Sequence, residues 1–175
     1  MAFIYKGNIN GGHKRTLVKV LLAGSADYRV GDPLSISTGD SAIISSAGLR
    51  ILGHITAIVK SNDVVPADNG CGGAFVQTYR TASDNATVAL VSALVDIDTN
   101  SKYSVNLDDT IGTTTGSNKA FYLFDLDTGL VNRKLDESTA GQTSGQYFSL
   151  GLDPNDSNRQ MVKIKESILL GDSGY

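Results

Sequence analysis

Between residues 49 and 60, apolar and polar side chains alternate with unusual regularity. Leu49, Ile51, Gly53, Ile55, Ala57 and Val59 fall on one face; Arg50, His54, Thr56 and Lys60 fall on the other. A period of two is that of a half-buried strand, because successive side chains point to opposite faces of a sheet. This pattern predicts a strand over 49–60 with His54 on its solvated face, beside Arg50 and Lys60. Residues 103–107 repeat the pattern, with Tyr103, Val105 and Leu107 opposite Ser104 and Asn106. Further short apolar runs predict strands over 17–22, 33–37, 42–45, 74–80, 86–95, 120–126, 130–135, 145–152 and 160–169. The run Ala120-Phe121-Tyr122-Leu123-Phe124 is apolar on both faces and predicts a central strand covered on each side. Helical periodicity is scarce, because Gly, Asn, Asp or Ser/Thr clusters interrupt almost every stretch of helix length. Some ten or eleven short strands predict an all-β chain, a β-barrel or β-sandwich.

The spacing of these runs divides the chain. Residues 61–73 are polar and Gly-rich, and Ser83-Asp84-Asn85 is a second break. The expected organisation is a small β-barrel module over 17–80 and a second β module over 81–170, closely packed. Residues 1–16 carry Gly7, Gly11, Gly12 and the basic run His13-Lys14-Arg15, and read as an extended N-terminal arm. Residues 171–175 read as a flexible tail. Termini of this composition fray unless a partner orders them.

Composition narrows the classes of function. With 41% hydrophobic and 19% charged residues among 175, the chain is able to fill a core and is not charged enough to stay disordered. A net charge of -3 argues against a general nucleic-acid binder. The single cysteine, Cys71, excludes an intramolecular disulfide and a multi-cysteine zinc site. No apolar run approaches the roughly 20 residues of a membrane helix. The first residues lack the layout of a secretory signal, so synthesis in a cytoplasm and no membrane partner are expected.

Candidate chemistry is sparse. Asp127-Thr128-Gly129 matches the tripeptide of aspartic proteases, but its place between two predicted strands suits a hairpin turn with Gly in the left-handed conformation. Gly171-Asp172-Ser173-Gly174 copies a serine-protease segment, one residue short of the end of the sequence, with no strand after it to support Ser173. Cys71 with His13 or His54 would need an electropositive pocket, which a Gly-rich loop does not supply. The carboxylate pairs Asp96/Asp98, Asp108/Asp109, Asp125/Asp127 and Asp153/Asp156 invite a calcium reading. Counted from Asp153, the sixth and twelfth positions of an EF-hand loop are Asn158 and Ile164 where Gly and Glu are required. A looser site around Asp125 and Asp127 stays open; solvated turn carboxylates are the simpler reading. No Walker loop, dinucleotide fingerprint or HExxH motif is present. No catalytic residue, metal or cofactor is therefore assigned, and the chain is not expected to be an enzyme.

One succession of short segments has a recognisable cast. Residues 93–107 (ALVDIDTNSKYSVNL) lead to Asp109-Thr110-Ile111-Gly112, Gly116-Ser117, Leu135-Asp136-Glu137-Ser138-Thr139, the segment 146–154 (QYFSLGLDP) and a late Val162-Lys163-Ile164. Upstream, Val30-Gly31-Asp32-Pro33-Leu34 turns into a strand, and a later strand starts at Gly53, where backbones approach closely. Together these segments resemble the virion structural proteins of tailed bacteriophages, of the head-decoration (cement) type. The resemblance implies a structural protein on the outer surface of the virion capsid. It implies the major capsid protein as partner, no nucleic-acid partner, and a homotrimer on a three-fold axis. Within that reading the arm residues Lys6, His13, Lys14 and Arg15 are the expected capsid contacts. Other classes fit the same β-rich pattern: a tail or head-fibre base protein, or a β-sandwich adhesin binding glycans.

Overall fold

The computed structural model describes residues 3–12, 15–23, 26–36, 41–60, 76–77, 79–80, 91–108, 120–127, 134–141 and 144–165. Among these residues every regular element is a strand, as the patterning predicts. In chain order they begin with β1 (Ile4–Asn8), β2 (Leu17–Leu22), β3 (Tyr28–Arg29), β4 (Pro33–Ile36), β5 (Ser41–Ile44), β6 (Gly53–Lys60) and β7 (Val76–Gln77). There follow β8 (Tyr79–Arg80), β9 (Val91–Asp96), β10 (Ser101–Asn106), β11 (Leu123–Leu126), β12 (Leu135–Gly141), β13 (Tyr147–Asp153) and β14 (Asp156–Ile164).

The first sheet runs β4-β5-β2-β9-β6, and β6 pairs back with β4, so five strands close into a barrel with β7 added beside β6. Closure removes the exposed strand edges that an open sheet would present. Leu22, Tyr28, Leu34, Ala42, Ile55, Ile58, Ala93 and Val95 fill this barrel. Ile55 and Ile58 both point inward although they are three residues apart. A bulge makes this possible: Ile55 pairs with Val95 and Ala57 with Leu94, leaving Thr56 as the extra residue. The Thr56 hydroxyl donates to the Leu94 carbonyl at 3.0 Å. The expected alternation over 49–60 is therefore corrected. It starts at Gly53 and changes phase at Thr56, while Leu49 lies in a turn closed by its N–H to the Ser46 carbonyl.

Two glycines explain how the barrel turns its corners. Gly31, at φ +92°, occupies the third position of a turn closed by Asp32 N–H to the Arg29 carbonyl at 3.0 Å, the conformation a type II turn requires there. A Cβ on Gly53 would overlap the Asp96 carbonyl oxygen, so the close backbone approach expected at Gly53 is present.

The second sheet runs β1-β10-β14-β13-β11-β12 and is antiparallel throughout. A parallel bridge between Leu107 and Leu135, with Asp108 N–H donating to the Leu135 carbonyl, brings β12 back beside the end of β10. Its core contains Tyr103, Val105, Leu107, Phe124, Leu126, Leu135, Tyr147, Val162 and Ile164, joined by Phe3 and Ile51 from the N-terminal half.

Sheet membership divides the chain differently from the expected 17–80 and 81–170 modules. β9 completes the first barrel, and the change of sheet falls between Asp96 and Ser101. β1 crosses to the second sheet, where Ile4 pairs with Ser104 and Tyr5 with Tyr103. Within the expected arm, Phe3 to Asn8 are docked rather than frayed. Phe3 is buried and Tyr5 packs half-buried against the same core, which holds the segment despite its glycines.

Residues 120–126 also differ from expectation. Only Leu123–Leu126 is strand. Phe121 sits in the left-handed region at φ +68° and is 75% exposed, and Tyr122 is 37% exposed. For a bulky side chain that backbone costs about 1–2 kcal/mol. Apolar content alone could not separate a covered strand from an exposed aromatic turn.

Candidate functional site

The barrel and the second sheet meet at a buried seam of aromatic and polar side chains. β9 passes into β10 through a tight turn in which Asp98 N–H donates to Asp96 Oδ1 at 3.0 Å and Asn100 N–H to Asp98 Oδ1 at 2.9 Å. Such Asx turns are what Asp at i and an amide two residues on favour. The turn sets Asp96, at the end of the barrel strand β9, beside Tyr103 on β10 of the second sheet. Asp96 Oδ2 accepts from Ser101 Oγ and Tyr103 Oη, each at 2.7 Å, and lies 4.0 Å from Arg15 Nε.

His54 lies at the same seam. Its ring is 4.0 Å from that of Tyr103, 4.6 Å from that of Phe3 and 5.7 Å from that of Tyr147, between centroids. Phe3 stacks on Tyr147 at 4.9 Å and so closes the cluster from β1. His54 Nε2 and Tyr147 Oη share a hydrogen bond of 3.0 Å, while among the described residues His54 Nδ1 has no partner. A second tie lies nearby. Gln146 accepts from Leu126 N–H at 2.9 Å and donates through Nε2 to the carbonyls of Ser46 and Leu49. One side chain thereby joins a strand of the second sheet to a turn of the first.

Burial governs the charges. It pushes the His54 imidazole down to about 3. Burial, then the Asp96 charge and hydrogen bond, hold the Tyr103 phenol well above its ordinary value; burial alone does so for Tyr147. All three rings are therefore neutral at neutral pH. An imidazole this hard to protonate is a poor general base, since proton transfer works best with a pKa near the working pH. The arrangement is suited to fixing the barrel and the second sheet in one orientation.

This placement corrects the reading of His54 as a solvated surface residue: it is 1% exposed. The outer face of the first barrel at His54 is covered by the second sheet, a tertiary contact that strand periodicity does not encode.

The expected capsid contacts divide. Lys6 Nζ pairs with Asp153 Oδ2 at 3.0 Å, across from β1 to the end of β13. The Arg15 guanidinium lies 3.4 Å from the centre of the Tyr5 ring. Both cations are thus engaged within the protein; His13 and Lys14 lie outside the described residues. Burial raises the Asp153 carboxyl, but hydrogen bonds from Ser104 and Asn155 N–H and the Lys6 ammonium outweigh it and hold it at about 2. Lys6→Ala is expected to cost about 1–2 kcal/mol in urea unfolding, because it leaves a buried carboxylate without its cation. In a carboxyl NMR titration the same change raises the Asp153 pKa. An unmoved titration would show that Lys6 is a solvated charge.

Other candidates resolve simply. Cys71, Asp109, Thr128, Gly129 and the segment 171–174 lie outside the described residues. Asp127 N–H donates to the Lys134 carbonyl, continuing the β11–β12 pairing beyond Leu126. Asp153 and Asp156 accept from the N–H groups of Asn155 and Asn158, as turn carboxylates do. Among the described residues no three His, Cys, Asp or Glu side chains gather to hold a metal.

A surface feature escaped the sequence reading. Phe121 and Tyr122 stand in the turn before β11 of the second sheet, with the Phe121 ring 6.2 Å from that of Phe148, edge to face. Lys163 Nζ lies 5.9 Å from the centre of the Phe148 ring. Compared with protein-family models, curated proteins and solved structures, the chain shows no significant match to any of them.

Proposed function

We propose that this protein is a phage head-decoration (cement) protein. It binds the outer surface of the assembled capsid and bridges neighbouring subunits of the major capsid protein, working without turnover as a homotrimer. The observation that carries this reading is the buried seam. Gln146, Asp96 and the stack of Phe3, Tyr147, His54 and Tyr103 hold the barrel and the second sheet as one stiff bracket. A clamp needs that stiffness, since close-packed interiors transmit load instead of absorbing it. A protein that binds the assembled lattice and not the free subunits stabilises the lattice by linkage. Contacts to several subunits at once add through effective concentration, so each one is allowed to be modest.

The test is co-sedimentation of the purified protein with mature phage heads stripped of their accessory proteins. Saturable binding at a fixed ratio to capsid subunits, with heads surviving heating better when loaded, is the expected result. Protein that stays in the supernatant at micromolar concentration, or that retains a glycan on an array instead, would sink the reading.

A further inference from the structure

We propose that the Phe121–Tyr122 turn is the anchor by which the protein grips a carboxylate-bearing face of a capsid subunit, with Lys163 and Lys165 supplying the matching charge. The inference rests on the head-binding reading and names the surface that performs it.

Two independent observations meet at this turn. Phe121 is the most exposed large apolar side chain among the described residues, and it is also their one non-glycine residue with positive φ. Strained backbone at a bulky residue persists only where the surroundings enforce it, and such outliers cluster at functional positions. Here the enforcement is visible. Phe121 N–H donates to the Ser149 carbonyl at 3.0 Å, and Ser149 N–H donates to the Tyr122 carbonyl at 2.8 Å. The turn is pinned to the rigid β13, so the aromatic pair is held ready before any partner arrives. Preorganised aromatic residues are what interface hot spots are made of, because little freedom is lost on binding.

Charge selects the partner. On β14, Val162 and Ile164 are fully buried, which turns Lys163 and, one residue past the strand, Lys165 to the opposite, outward side. Phe148 stands opposite Lys163 in the β13–β14 register, so the Lys163 side chain flanks the aromatic ones. The chain as a whole carries -3. A cationic, aromatic spot on an anionic protein steers towards a local cluster of carboxylates. It disfavours a polyphosphate strand, whose whole length the remaining surface repels.

The experiment compares wild type, Phe121→Gly and the double variant Lys163→Glu/Lys165→Glu for binding to stripped heads across a salt series. Phe121→Gly relieves the backbone strain, so its melting temperature is expected at or above that of wild type while its head affinity falls at least tenfold. The lysine variant is expected to bind at least tenfold more weakly in low salt, with a flatter salt dependence. Wild-type binding with Phe121→Gly within twofold of it would overturn this assignment and leave the head-binding reading standing. Heads that take up no wild-type protein would overturn both. Binding of an oligothymidylate probe that Phe121→Gly abolishes would transfer the site to nucleic acid and overturn it as well.

Discussion

Replacing Asp96 with alanine is expected to lower the unfolding free energy by about 3–5 kcal/mol, read as a fall in the urea midpoint at unchanged slope. The carboxylate is fully buried and accepts from Ser101 Oγ, Tyr103 Oη and Asp98 N–H. Truncation leaves the phenol and the hydroxyl in a dry seam without their acceptor, and an unsatisfied buried donor costs more than the bond itself contributed. It also releases the turn that passes the chain from the barrel to the second sheet. Asp96→Asn is the calibrating variant. With its amide oxygen at the Oδ2 position it keeps the acceptor of both short hydrogen bonds, but it loses their charge assistance and sets an NH2 against the Asp98 N–H, so about 1–2 kcal/mol is expected. A loss below about 1 kcal/mol for the alanine variant would mean that the seam does not depend on this carboxylate.

How far the sequence foretold this structure is best judged at individual residues. β2, Leu17–Leu22, lies where its apolar run predicts, and β13 alternates buried with half-buried positions, because one of its faces lies on a core. In β10 the expected alternation is broken at Ser104, which is fully buried on the face opposite Tyr103 and Val105, where Arg159 donates to it. The approach of backbones at Gly53 was legible for a similar reason: a glycine opening an apolar strand leaves room that a Cβ would fill. What failed was whatever a second sheet determines. His54 looks solvated beside Arg50 and Lys60 because the pattern of β6 is blind to Phe3, 51 residues earlier, and to Tyr147, 93 residues later. Phe3 itself sits in a Gly-rich, basic stretch whose average composition resembles a free arm, although two aromatic rings decide its fate. Thr56 shifts the phase of β6 by being the bulged residue, and a bulge leaves no mark in hydropathy. The candidate site was the least legible part. Asp96 read as one of several surface carboxylate pairs, and Phe121 as a core residue, so their roles were exchanged.

Acidification from pH 6.5 to pH 4 is expected to cost about 3 kcal/mol of stability through His54 alone. In the unfolded chain the imidazole titrates at its ordinary 6.5; in the seam burial holds it at about 3. Its contribution is therefore complete above pH 6.5 and is lost progressively as pH falls towards 3, because the unfolded state takes up a proton that the native state refuses. The groups facing it do not blur this window. Tyr103 and Tyr147 stay neutral throughout. Asp153, held at about 2, gives stability that is present above 3.8 and lost only as pH falls through 2. Urea midpoints at pH 7, 5.5 and 4 should decline for wild type, and the decline should be much shallower for His54→Gln, which keeps an amide for Tyr147 Oη and cannot titrate. Should that variant fold poorly, the wild-type protein still decides the matter. It has two histidines, and the ring resonance of His54 must stay unshifted down to pH 4.5. An imidazole that titrates near 6 in the folded protein would mean that water reaches the seam, and that the barrel and the second sheet are not welded as their buried contacts require.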